Sequence, residues 1–171
     1  PALAVTDSQA FGKVSQAVPP EVPLTSVSIL LARLKGDLAT CAAGAARIDR
    51  LRDGDRVLVA EACTHHPIGD DIGREKLPRW IRNRTRAAVK FSVVSGADFP
   101  EDLSPYALVL HCGACTFNRR AVLSRILRCR EQGVPFTNYG VAIAHIHGIL
   151  ERALAPFPSV YEAFRRARED A

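Results

Sequence analysis

Apolar positions change their rhythm along this 171-residue chain, and the changes mark out alternating strands and helices. Near the start, Leu3 to Val5 reads as a short strand, and Asp7 or Ser8 can cap a helix carrying Phe11, Val14 and Val18. Pro19, Pro20 and Pro23 then break the chain, with room for a second short strand. From Thr25 the positions Val27, Leu30, Leu31, Leu34 and Leu38 recur at helical spacing. Gly36-Asp37 reads as a stop and a new N-cap, before a helix with Leu38, Cys41, Ala42, Ala45 and Ile48 on one face.

After the turn at Asp53-Gly54-Asp55 the rhythm becomes strand, helix, strand. Strands are expected at Arg56–Ala62, Val89–Val94, Ala107–Leu110 and Val134–Thr137. Helices are expected at about Lys76–Arg86, Asn118–Glu131, Val141–Leu154 and from Ser159 onward. Such alternation predicts an α/β fold, with a parallel sheet and helices on both faces. The expected organisation is a small α/β unit over residues 1–55 followed by a parallel-sheet α/β domain over 56–171. Some fifty residues close a core poorly, so the first unit is expected to bury its stripes against a second copy of itself.

Two expected strands end in cysteines. Cys63-Thr64-His65-His66 follows the strand from Arg56, and His111-Cys112-Gly113-Ala114-Cys115 follows the one from Ala107. Ligands of open parallel sheets sit beyond the carboxyl ends of the strands. If these two strands are neighbours, three thiols converge at one edge, beside the N-terminus of the helix near Asn118, whose dipole favours thiolates. Three thiolates with imidazoles at hand suit an iron–sulfur cluster or zinc. Cys41 and Cys129 lie on apolar helix faces and read as buried thiols, while His145 and His147 read as packed or solvent-facing side chains. Three chemistries remain open at this point: a cluster with one exchangeable position, a closed Cys₃His zinc site, or a redox-active Cys-x-x-Cys pair.

Composition narrows the setting. The net charge of +5 is spread along the chain, with no basic patch interleaved with aromatics, so no nucleic-acid partner is expected. Five cysteines without a disulfide framework point to a reducing, cytoplasmic setting, and neither a signal peptide nor a membrane span is evident. No phosphate-binding Gly-x-x-x-x-Gly-Lys-Ser/Thr loop and no Gly-x-Ser-x-Gly elbow occurs. Asp70, Asp71, Glu101 and Asp102 sit in expected loops and read as solvated carboxylates. The chain starts at Pro1 and runs directly into strand-like sequence, which suggests a piece of a longer protein.

Several strings resemble the HydF family, the GTPases that mature FeFe-hydrogenase. They are Glu61 to Pro67, His111 to Cys115, Thr137 to Ala144, Val5 to Gln9 and Pro23 to Leu30. The family's hallmark, Cys-x-His, a long gap, then His-Cys-x-x-Cys, falls on Cys63, His65, His111, Cys112 and Cys115. The resemblance implies a dimerisation domain followed by a domain holding a 4Fe–4S cluster, with the family's GTP-binding domain outside these residues. It implies Cys63, Cys112 and Cys115 as cluster ligands, and His65 or His111 as a supporting residue or exchangeable fourth ligand. It also implies a homodimeric scaffold that carries a diiron precursor, with CO and cyanide ligands, between radical-SAM maturation enzymes and the apo-hydrogenase. This portion would itself not be catalytic. The competing functional readings are a dimeric adaptor stapled by zinc and a 4Fe–4S hydro-lyase-like enzyme.

Overall fold

The computed structural model describes residues 2–62 and 71–169. The N-terminal segment contains β1 (Ala4–Thr6), a 3-10 turn at Ser8–Ala10, α1 (Phe11–Ala17), β2 (Leu24–Ser26) and α2 (Val27–Lys35). β1 and β2 pair in parallel as a small sheet of their own. Next come α3 (Leu38–Ala46), β3 (Arg56–Glu61), a π-helical turn at Ile72–Lys76, α4 (Leu77–Thr85) and β4 (Lys90–Ser95). The chain continues through β5 (Leu108–His111), α5 (Arg119–Glu131), β6 (Phe136–Asn138), α6 (Tyr139–Ile146), α7 (Leu150–Leu154) and α8 (Pro158–Glu169).

The larger sheet is wholly parallel, with strand order β4-β3-β5-β6. Because side chains alternate along a strand, β3 feeds two cores. Leu58 and Ala60 pack with α3, α5, α7 and α8, while Val57 and Val59 pack with Leu77 and Ile81 of α4 and Ile143 of α6. Helices cover both faces, as the alternation of strands and helices predicts. Among the described residues, no helix is long and apolar enough to cross a membrane.

The caps fall where short polar residues meet apolar runs. Ser26, Asp37, Asn118 and Asn138 each accept a hydrogen bond from a first-turn amide, of Ile29, Thr40, Ala121 and Val141 respectively. α3 lies against β6 so closely that a Cβ at Gly44 would stand 2.0 Å from the Phe136 carbonyl oxygen. Only a residue without a side chain fits there.

Two expectations need correction. The apolar helix expected over Val141–Leu154 is two helices, broken where Gly148 takes φ +72°. A left-handed residue ends a helix, and glycine adopts it without steric cost. The stripe expected on α2 is not its buried face: Ile29 and Ala32 are buried, whereas Val27 is 51% and Leu34 66% exposed. Leu38 belongs to the next helix. The reason is packing: α2 sets its Ile29/Ala32 side against α3, α5 and α6 and turns Val27 and Leu34 outward.

Candidate functional site

β3 and β5 are neighbours in register, with Ala60 opposite His111. The chain leaving β5 therefore enters Cys112 beside the point where β3 leads toward Cys63. Cys63, His65 and His66 lie outside the described residues, as does Asp70. Among the described residues no three ligand-type side chains come together, and Cys112 and Cys115 are the expected cluster ligands that the structure describes.

Cys112 is fixed by the sheet and by amides. Its N–H donates to the Ala60 carbonyl at 2.9 Å, extending the β3–β5 ladder by one residue. Its sulfur accepts N–H donors from Ala62 at 3.0 Å and Ala114 at 3.4 Å. Amide donors aimed at sulfur stabilise a thiolate and, equally, a metal-bound thiolate. Cys115 is exposed. Between them Ala114 takes φ +54°, an uncommon setting for a residue with a side chain, so the tertiary structure must hold the turn.

Lys35 is the residue that grips this turn. Reaching from the end of α2, its ammonium donates to the carbonyls of Ala114, Cys115 and Phe117 at 3.0, 3.0 and 3.1 Å. Each planar peptide sets its N–H opposite its carbonyl, so the amides of Cys115 and Thr116 are directed away from Lys35. Arg119, at the start of α5, donates back to the Leu34 carbonyl at 2.6 Å. The end of α2 and the cysteine turn are thus laced together.

His111 is buried, and both ring nitrogens are engaged. Nδ1 lies 2.8 Å from the Cys112 carbonyl and Nε2 lies 2.9 Å from Nη1 of Arg125. Arginine only donates, so Nε2 is the acceptor and Nδ1 carries the proton that goes to the carbonyl. Burial pulls the His111 pKa down to about 4, which keeps this ring neutral. Arg125 is itself buried, its guanidinium 4.8 Å from the Phe99 ring centre and 4.6 Å from that of Phe117. Burial also pulls the Arg125 pKa below its ordinary value, opposed by the charge of Cys112.

On the other flank stands Tyr139, the first residue of α6. Asn138 pairs with His111, so Tyr139 and Cys112 each lie one residue past a registered pair. The Tyr139 hydroxyl is buried and, among the described residues, has no hydrogen-bond partner. Nearby, Arg74 bridges Glu61 at 3.0 Å and Asp71 at 3.7 Å. Asp71 also accepts the amides of Gly73 and Arg74, so it is a cap to the π-helical turn rather than a loose solvated carboxylate.

The remaining cysteines and histidines stand apart from this site. Cys41 and Cys129 are buried in the core, and burial pushes both thiols up to about 12. His145 meets Asp49 at 3.0 Å, and His147 packs edge-on against Trp80.

Arg125, Lys35 and Tyr139 are site residues that spacing alone does not disclose. Arg125 left a trace, since it stands on the apolar stripe Val122, Arg125, Ile126, Cys129 of α5. An arginine on a buried stripe needs partners, and Arg125 donates to His111 Nε2 and to the Gly96 carbonyl.

Comparison with protein families now adds a decisive observation. Residues 39–156 match the hydrogen maturase F tetramerization domain, and residues 1–36 match the hydrogen maturase F dimerization domain. The chain belongs to the hydrogen maturase F family. The HydF resemblance is thereby established, and with it a part in hydrogenase maturation. As a family member the chain carries two oligomerisation domains, which meet at residues 37–38, where α3 begins. Comparison with curated proteins gives no match.

The residues present suit an anionic iron–sulfur group. Cys112 sulfur already takes two amide donors, a buried guanidinium lies behind His111, and the Tyr139 hydroxyl, one residue past the His111–Asn138 pair, has no hydrogen-bond partner among the described residues. Soft sulfur ligands surrounded by donors are what such clusters use.

Proposed function

We propose that this chain is the scaffold portion of a hydrogenase maturase, holding a 4Fe–4S cluster through Cys63, Cys112 and Cys115 with one iron left exchangeable. The observation that carries the reading is the register of β3 against β5, which sends both cysteine segments off adjacent strand ends. The cluster would supply an open iron at which a diiron precursor with CO and cyanide ligands docks before transfer to the apo-hydrogenase. The radical-SAM enzymes that build the precursor are the partners upstream, in the cytoplasm. Hydrogen bonding of both His111 nitrogens favours a supporting role for His111, orienting the Cys112 carbonyl, and leaves His65 as the histidine available for the fourth position.

The protein's own residues do the holding. Ala62 and Ala114 amides stabilise the Cys112 thiolate, Lys35 keeps the cysteine turn in shape, and Arg125 fixes the His111 tautomer. Homodimerisation through the N-terminal segment is part of the same proposal. Val27 and Leu34 of α2, Val5 of β1 and Leu3 just before it are apolar side chains exposed in the single chain. A division at residues 1–55 and 56–171 would put α3 with the dimerising unit. Its packing on β6 and α8, and the meeting of the matched stretches at 37–38, favour placing α3 with the cluster unit instead.

The test is anaerobic reconstitution with iron and sulfide, followed by metal and sulfide analysis and EPR of the reduced protein. Wild type should take up a 4Fe–4S cluster, and Cys63→Ser, Cys112→Ser and Cys115→Ser should each lose it. Unchanged iron and sulfide in Cys63→Ser would sink the ligand assignment, and uptake of zinc without iron would establish the zinc-stapled adaptor.

A further inference from the structure

The Tyr139 hydroxyl belongs to the first residue of α6. It is buried, and among the described residues no group hydrogen-bonds to it. Leaving such a group unsatisfied is costly, so folded proteins rarely tolerate one without a use. The surrounding structure makes room for it deliberately: a Cβ on Gly73 would lie 2.1 Å from the hydroxyl oxygen and 2.8 Å from the ring carbon bearing it. Any larger residue at 73 would push the phenol out. Backbone register puts Tyr139 next to Cys112 across β5 and β6. The charges that act on the hydroxyl are those of Cys112, Glu61 and Asp71, opposed by that of Arg74. Burial, then the negative charges of Cys112, Glu61 and Asp71, push the phenol well above its ordinary pKa, so it remains a neutral O–H donor at any working pH.

We propose that Tyr139 is a ligand-binding residue of the cluster site, donating its O–H to an anionic acceptor bound beside Cys112. That acceptor is either a cluster sulfide or the exchangeable ligand on the open iron. The proposal rests on the cluster reading given above. It assigns Tyr139 a job distinct from that of the cysteines: it holds no iron, and it recognises negative charge at the centre. Gly73 belongs to the same device as the residue that leaves the space.

Tyr139→Phe removes one oxygen and keeps the ring packing. Three measurements on the full chain test the role. In cluster-free protein the thermal midpoint should be unchanged or raised, because the lost group has no partner among the described residues. In reconstituted protein, potassium cyanide titration followed by EPR should show affinity weakened about tenfold if the donor serves the exchangeable ligand. If the donor serves a sulfide, cyanide binding should be unchanged and the cluster's reduction potential should move to more negative values. A lowered thermal midpoint in the cluster-free variant would show that the hydroxyl serves the fold, and would overturn the proposal. So would a reconstituted variant indistinguishable from wild type in both cyanide affinity and potential. A wild-type chain that takes up no iron and sulfide would overturn the cluster reading and this role with it, whereas normal wild-type uptake confines any failure to Tyr139.

Discussion

Lys35→Met is the sharpest test of how the two matched segments communicate. The ammonium donates to three carbonyls of the cysteine turn at 3.0–3.1 Å, and methionine keeps the stem while removing every donor. Hydrogen bonds to a charged group contribute about 1.5–3 kcal/mol each in mutational series. The three here share one ammonium, and the exposed Cys115 end can rehydrate its carbonyl. Release of the lysine side chain returns up to about 2 kcal/mol of rotamer entropy. The expected net loss is about 2 kcal/mol, or roughly thirtyfold in the opening of the turn. Amide hydrogen exchange should report that gain at residues 113–118, with the strands of the large sheet unaffected. Reconstituted Lys35→Met should also lose its cluster faster under a chelator than wild type. Unchanged exchange across 113–118 would refute the reasoning, since it would mean the turn keeps its shape without the clamp.

Two further outcomes follow from the packing and charge of the fold. Gly44→Ala should cost about 3 kcal/mol or more, because its methyl meets the Phe136 backbone rather than a yielding side chain, and a thermal midpoint equal to wild type would contradict the close α3–β6 approach. Burial of Asp49 works against its charge, but hydrogen bonds from His145 and Arg84 win and hold the carboxyl well below its usual range. A carboxyl with a depressed folded pKa stabilises above its ordinary pKa of about 4, and that contribution is lost as pH falls below it. Asp49 is 40% exposed, so after screening the effect is about 1 kcal/mol. Urea unfolding should show that gap between wild type and Asp49→Asn at pH 7 and its closure below pH 4; a gap independent of pH would refute the assignment.

What was legible in the sequence was local. The cap at Asp37 and the parallel strands announce themselves by residue type and period. That the strands leading into the two cysteine segments are neighbours, β3 beside β5, is a fact that parallel topology allows but does not dictate. The rest depends on tertiary geometry. Lys35 and its acceptors are 79 to 82 residues apart, and nothing near Lys35 marks it as more than a solvated helix end. The stripe on α2 misled because apolar spacing says that a face is covered, not what covers it. Its Val27 and Leu34 are exposed in the single chain. Gly148 broke an otherwise continuous apolar run because one left-handed residue outweighs the helix preference of its neighbours.

Lys35 is not the only cation that grips carbonyls across this seam. Arg152 of α7 donates to the carbonyls of Ser15, Val18, Pro19 and Val22. In both clamps the partner is main chain, which every residue type supplies alike. Substitution tolerance should therefore be lopsided: a saturation library should accept many residues at 15, 18, 22, 115 and 117 so far as the clamps are concerned, and few at 35 and 152. Backbone carbonyls do not titrate, so acid that discharges the carboxylates would leave both clamps closed.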